Sequence, residues 1–272
     1  MGLSRIAPAA RHARQIVLPE VGLEGQRRIA SARVLVVGCG GLGAPVVHYL
    51  AAAGVGHLTL VDDDVVEPSN LNRQVLFGTD DVGLRKAQCA AAAARAIDPA
   101  LEVVARVERL AASSLPAALL PFDVIVDATD GMPTKFLLND ACVLGDRLLI
   151  HGAATGFAGQ VLVVPGRRGP CLRCLFEAPP PRDAIPTCRD AGILGAVTGV
   201  VGSVMAAEVI KALVAPAHTL VGRFFAIDVL EPSTRALQFE RRKDCAACGD
   251  EPSVDLQDSR SYESDHDENS CA

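Results

Sequence analysis

The stretch that most restricts the fold is Val34–Gly43, "VLVVGCGGLG". Its unbroken apolar run reads as a strand buried on both faces, as in the middle of a parallel sheet. Gly38, Gly40 and Gly43 then form a G-x-G-x-x-G turn, with Gly41 as an additional glycine, and "APVVHYLAAAG" reads as a helix closing on Gly54. Glycines in this setting let a phosphate approach backbone N–H groups at the helix N-terminus. The motif specifies a nucleotide without saying which, and the bland alternative is a tight connection with no ligand.

From Arg33 to about His151 the pattern is strand, turn, helix, repeated. "HLTLVD", "LEVVARV", "FDVIVDATD" and "RLLIHGAA" read as further strands, and "GLRKAQCAAAARAIDP" as a helix stopped before Pro99. Strands alternating with helices of this length imply βαβ units. Later, "GQVLVVPG", "GRFFAIDVL" and "TRALQFER" read as antiparallel extensions. The predicted fold is therefore α/β: a Rossmann-like, mostly parallel sheet with helices on both faces, extended by antiparallel strands and a Cys₄ zinc site. Residues 1–32 read as an N-terminal helical or loop segment, 33–249 as the Rossmann-like domain, and 250–272 as a polar, acidic tail expected to be disordered.

Composition removes several classes. A net charge of -6 over 272 residues argues against nucleic acid as the main partner. The N-terminus has no apolar signal-peptide core. The 17 uncharged residues between Asp190 and Glu208 are short for a membrane span and read as a buried core helix. The expectation is a cytoplasmic protein with no membrane or nucleic-acid partner.

Charged residues beyond the strand ends bear on the nucleotide. Asp62, nineteen residues after Gly43, suits the ribose hydroxyls of NAD and ATP equally. Asp63 reads as a solvated loop residue, and that reading stays open for Asp64. Asn70, Arg73 and Lys86 follow on loops, and Asp130 stands just past the fourth strand. A triphosphate needs cationic clamps on its oxygens, and Mg²⁺ is usually held by a carboxylate together with phosphates. Singly these are ordinary surface residues; jointly they favour ATP and Mg²⁺. An NAD-dependent oxidoreductase leaves Arg73, Lys86 and Asp130 without a task. A catalytically silent scaffold is disfavoured by so complete a set.

Nine cysteines include two C-x-x-C pairs, Cys171/Cys174 and Cys245/Cys248, which suit a closed tetrahedral Zn²⁺ site. The alternative is four buried thiols or a redox pair. Cys39, Cys89 and Cys142 fall on buried elements and read as small core residues. Cys271 lies in the tail.

These ordered motifs, "RHARQIVLPEVGLEGQ", "VVGCGGLGAPVVHYLAAAGVGHLTLVDDD", "SNLNRQVLF", "VGLRKAQ", "DATD" with "LLND", "CLRC" and "CAAC", resemble the ubiquitin-activating-enzyme-like adenylyltransferases of the ThiF/MoeB/HesA type from about Arg11 to Gly249. The resemblance implies attack of a ubiquitin-fold sulfur carrier's C-terminal glycine carboxylate on the α-phosphorus of ATP. By it, the Gly41 loop backs the nucleotide, Asp62 holds the ribose, Asn70, Arg73 and Lys86 hold the phosphates, and Asp130 holds Mg²⁺. It also implies the Cys₄ zinc, a covalent role for Cys188 in "IPTCRDAGILG", and a homodimer in which Arg14 reaches the partner's nucleotide. The carrier would end in Gly-Gly, serve molybdopterin- or thiamin-type sulfur transfer, and take sulfur from a separate cysteine desulfurase or rhodanese. A modified tRNA base or a peptide is the alternative carboxylate. The chain departs from the family at Gly131 and Lys135, where Asn and Arg are usual; Lys keeps the charge but not the bidentate fork.

Overall fold

The structure is a computed structural model that describes residues 8–112, 115–180, 191–258 and 262. Two helical turns, Pro8–Arg11 and Ala13–Ile16, lead into α1 (Gly22–Ser31). There follow β1 (Arg33–Val37), α2 (Gly43–Ala53), β2 (His57–Val61), α3 (Lys86–Ile97), β3 (Glu102–Arg106), β4 (Val124–Asp127), α4 (Met132–Leu144), β5 (Leu148–Thr155), β6 (Ala158–Pro165), α5 (Gly195–Val214), β7 (Arg223–Asp228) and β8 (Ser233–Gln238). The strands form one sheet in the order β3-β2-β1-β4-β5-β6-β7-β8. The pairs from β3 to β5 are parallel and those from β5 to β8 antiparallel, as the sequence reading expected.

The period of two along each buried strand divides the core. Val34, Val36, Leu58 and Leu60 face α2, α3 and α5, while Leu35, Val37, Val61 and Ile125 face α4 and the paired cysteines. Such strands are sandwiched between helices, which is why they lack a polar face. α2 ends at Gly54, whose φ of 83° places it in the left-handed region that suits a glycine C-cap. The N-terminal segment is locked onto that end. Gln15 and Gln26 both donate to the Ala53 carbonyl, at 3.2 and 3.0 Å, and the Gln15 amide also donates to Gln26 Oε1 at 2.7 Å.

One expectation holds in part and one needs correction. α5 is long and apolar enough to cross a membrane by length and composition, and it is a core helix packed on α2 and on the sheet, but through one face. Val197, Val201, Met205 and Val209 are buried, whereas Ala196, Val200 and Ala207 are exposed at one- and two-turn spacing. An apolar run supplies no polar face to mark the outward side, so the sequence does not show which face is exposed. Likewise, packing does not stop at residue 249. Leu256 is buried, and Val254 and Tyr262 pack against the second core. A few apolar residues in a polar segment suffice to dock it, below what composition registers. Leu256→Ala should therefore destabilise the protein by about 2–5 kcal/mol, read as a lowered denaturation midpoint; an undocked tail would give no change.

Candidate active site

The site lies where the strand order reverses, between β1 and β4, beyond their carboxyl ends. Open α/β sheets bind ligands in this crevice because the two flanking loops turn to opposite sides. The loop after β1 carries the glycines and opens α2, whose first N–H groups have no intrahelical acceptor. Gly38 has φ 89°, and a Cβ there would stand 2.7 Å from the Ala128 carbonyl oxygen. The loop after β1 and the loop after β4 therefore touch. The Gly40 carbonyl accepts from the Ala44 N–H at 2.9 Å and begins the helix. Gly41 lies against Thr198 of α5, where an added Cβ would be at 3.1 Å, and a Cβ on Gly43 would meet the Gly38 carbonyl oxygen at 2.0 Å.

Asp62 closes the loop from the side. Its carboxylate accepts the Cys39 N–H at 2.7 Å and the Asp64 N–H at 2.9 Å. An ionised carboxylate has about four acceptor positions, so two remain for a ligand. Burial raises its pKa, opposed by those N–H groups and by Lys86. Lys86 opens α3 and is 1% exposed. Its ammonium pairs with Asp64 at 3.1 Å, and its backbone N–H donates to the Asp64 carbonyl at 3.0 Å. Asp64 is thus the counter-ion of a buried lysine rather than a solvated loop residue. The bland reading holds for Asp63, which pairs with Arg109 at the surface.

Asn70 is buried and shapes its own turn, its Oδ1 accepting the Glu67 N–H at 3.1 Å. Arg73 Nη1 donates to the Ser69 carbonyl at 2.9 Å and to Asn72 Oδ1 at 3.1 Å. The start of α5 packs on this turn, since a Cβ on Gly195 would lie 2.4 Å from the Asn72 carbonyl oxygen. Asp130 stands at the solvent rim, yet protein packed around its carboxyl raises its pKa. Lys135 opposes that rise most strongly, Asp64 adds to it, and Lys86 opposes it. Lys86 and Asp64 are therefore felt both by Asp62 and by Asp130. The arrangement suits a polyanion that arrives with a divalent cation.

Arg14 is exposed on the second N-terminal helical turn, away from this cluster. Cys188 falls outside the described residues. Cys171, Cys174, Cys245 and Cys248 come together with every sulfur within 4.8 Å of the others. Cys171–Cys245 and Cys174–Cys248 are 3.6 and 3.3 Å apart, and the Arg242 N–H points at the Cys174 sulfur from 3.4 Å. Metal–sulfur bonds of about 2.3 Å in a tetrahedron need sulfurs about 3.8 Å apart, which lies within the spread of these separations, so small shifts fit Zn²⁺. Cys39, Cys89 and Cys142 are buried free thiols.

A model of the ThiF family matches residues 12–247. The chain belongs to the ThiF family. Among ThiF-family relatives, "Adenylyltransferase and sulfurtransferase MOCS3" of Bos taurus is 48% identical, covering 93% of this chain and 56% of its own length. "Sulfur carrier protein adenylyltransferase" of Thermus thermophilus is 48% identical over 89% of this chain and 91% of its own. The chain thus spans about half the length of the MOCS3 relatives. A crystal structure of E. coli MccB with ATP has a TM-score of 0.77 at 21% identity, covering 89% of this chain and 74% of that one, a likeness of fold.

Sequence reasoning left Asp64 open, named Lys135 only as a departure from the family, and missed its buried partners Asp127 and His151. Asp127 is the first acid of "DATD", where only the second had been given a role, and His151 is a lone histidine ending an apolar run. Lys135 points into the protein, toward Asp127 and the Gly152 carbonyl. Burial, aided by Lys135, holds the His151 imidazole below its usual pKa of 6.5. As pH falls below that value the unfolded chain takes the proton first. The stability due to neutral His151 is therefore complete above pH 6.5 and is lost on acidification toward the folded value. His151→Asn should flatten the fall of the denaturation midpoint between about pH 7 and 5, with the residual slope shared by His12, which burial shifts the same way.

Proposed function

We propose that this chain is an ATP-dependent adenylyltransferase that activates the C-terminal glycine carboxylate of a ubiquitin-fold sulfur carrier. The observation that carries the reading is the buried Lys86 set among Asp62, Asp64 and Asp130 at the β1–β4 crevice. A dinucleotide site calls for no such cluster. The names of the relatives support the substrate class. In the reaction, a carrier carboxylate oxygen forms a bond to the α-phosphorus, the bond from that phosphorus to the bridging oxygen breaks, and pyrophosphate leaves with the electron pair. A carboxylate is already the nucleophile, so no general base is needed.

Catalysis is then orientation and charge neutralisation. The glycine loop and the start of α2 back the phosphates, Asp62 holds the ribose, and Arg73 and Lys86 meet the phosphate oxygens. Asn70 holds the turn that presents Arg73. The oxygen donors at Asp130 and Asp64, crowded enough that Asp64 raises the Asp130 pKa, suit a hard divalent cation. Mg²⁺ held by Asp130 would neutralise phosphate charge. The four cysteines would hold a structural Zn²⁺, and the molecule would work in the cytoplasm with sulfur arriving from a separate donor.

The reading is checked by pyrophosphate exchange into ATP, dependent on Mg²⁺ and on a carrier ending in Gly-Gly. Asp130→Ala should lower it roughly 10²- to 10³-fold in folded protein, and metal analysis should find one zinc per chain. Tight NAD binding with no ATP binding would overturn it.

The reading includes a homodimer with Arg14 acting in trans. Gln15, beside Arg14, is tied to Ala53 at the far end of α2 from the glycine loop. An 11-residue helix is about 16 Å long, beyond the reach of an arginine side chain. On the same side, Pro45, His48 and Tyr49 of α2, Val75, and Val200 and Val204 of α5 line an open apolar groove. A second copy seated there would cover the outer face of α5 and bring its Arg14 toward the Arg73 turn. Arg14→Ala and Asp130→Ala should each be inactive, and their mixture should recover activity once subunits exchange. A mixture that stays dead although heterodimers form would rule out the trans arrangement.

A further inference from the structure

One buried cluster of ionisable groups has no task in the adenylation reading. Asp127, Lys135 and His151 are 0%, 2% and 2% exposed and come from β4, the first turn of α4 and β5. Asp127 Oδ2 accepts from His151 Nδ1 at 2.7 Å and from Lys135 Nζ at 3.5 Å. Lys135 Nζ also donates to the Gly152 carbonyl at 2.6 Å. The other oxygen, Asp127 Oδ1, accepts the Thr129 N–H at 3.1 Å and its hydroxyl at 2.6 Å.

The electrostatics close on themselves. Burial would raise the Asp127 pKa, but Lys135, His151 and Thr129 outweigh it and hold the carboxyl well below its usual range. With His151 neutral and donating from Nδ1, the cluster carries one negative and one positive charge. A buried pair of this kind is tolerable because its hydrogen bonds are met on both sides.

What the cluster touches gives it meaning. Through Thr129 it sets the backbone immediately after β4. Ala128 and Thr129 lie against Gly38, with the Ala128 carbonyl carbon and oxygen and the Thr129 nitrogen all within 3.0 Å of where a Gly38 Cβ would be. Asp130 is the next residue. We propose that Asp127, Lys135 and His151 form a buried anchor for the loop over residues 128–130, so that Lys135 and His151 are positioning residues for the Asp130 carboxylate. The consequence for Mg²⁺ rests on the adenylation reading; the anchoring of the loop does not. A displacement of about 1 Å in a positioned group can cost roughly 10²-fold in rate, so a fixed loop is worth a buried charge pair.

The test uses the full chain with His151→Leu, which removes the donor, and His151→Asn, whose amide can donate from the place of Nδ1. Two readouts are followed: amide hydrogen exchange of residues 128–131 in nucleotide-free protein, and calorimetric binding of ATP with and without Mg²⁺. His151→Leu should speed exchange of those amides roughly tenfold, as for loss of one net hydrogen bond, and weaken the Mg²⁺-dependent part of ATP binding severalfold. ATP affinity without Mg²⁺ should hold, and His151→Asn should restore both readouts. Parental values of both in folded His151→Leu overturn the proposal. If His151→Leu does not fold, Thr129→Val, at the half-buried rim, breaks another link of the same anchor, and parental values there overturn it equally. A parent protein that binds no ATP would overturn the adenylation reading instead, while loop exchange would still report on the anchor.

Discussion

The nucleotide crevice depends on one close approach. Gly38 and the Ala128 carbonyl pack with no space between them for a methyl group. That contact fixes the separation of the loops after β1 and β4, and with it the distance between the phosphate-facing end of α2 and Asp130. On one side Asp62 grips the Cys39 N–H and holds the glycine loop in place. On the other, Asp127 grips Thr129. Two buried carboxylates at the ends of two strands thus clamp the two walls of one crevice, and each spends acceptor capacity on backbone.

The same economy links the crevice to the cysteine cluster. α4 begins just after the Asp130 loop and points Lys135 inward in its first turn. About one turn later it presents Asn139 and Asp140 to the opposite partner. Asn139 Oδ1 accepts the Leu172 N–H at 2.9 Å, and Asp140 takes the Arg173 guanidinium through two bonds of 2.8 Å. Arg173 also lies over the Phe136 ring, 5.0 Å from its centroid. Leu172 and Arg173 are the two residues between Cys171 and Cys174. Breaking a buried pair of this geometry costs about 3–5 kcal/mol, so the cysteine module is rigidly tied to the helix that carries the loop. Tyr262 also donates to Asp140, which explains why the chain stays packed beyond residue 249.

Much of this was legible in the sequence because it rests on local pattern. The apolar runs of β1, β2 and β4 and the glycines after β1 are written in consecutive residues. So are the paired cysteines, whose two halves share one spacing although 74 residues separate Cys171 from Cys245. What escaped depends on contacts between distant segments. Asp64 is one acid among three in a row, and only the burial of Lys86 distinguishes it. His151 looks like a stray polar residue in a strand until Asp127 is seen 2.7 Å away. In sequence Lys135 reads as a charge-keeping replacement for the family's usual arginine, and only the structure shows it buried at 2% exposure. α5 was read rightly as a core helix, but its outward face is as apolar as its inward one, so no periodicity separates them.

That double-sided character of α5 ties the remaining pieces together. Its inner face packs on α2 and on the sheet, and its N-terminal turn carries Thr198 against Gly41 and Gly195 against the Arg73 turn. The helix therefore braces two parts of the nucleotide site from below, while its outer face lies in the apolar groove. A covering partner would press on the same helix that supports Gly41 and Arg73. α2 has the matching polarity. Its N-terminus opens on the glycine loop and its C-terminus, capped by Gly54, anchors Gln15 next to Arg14. In the proposed dimer, a side chain held near the C-terminal end of α2 would serve the N-terminal end of the neighbour's α2, with the two helices side by side across a two-fold axis. The open apolar grooves run along α2 and α5 and reach Gln15, so the face that the proposed partner would cover adjoins the segment that carries Arg14.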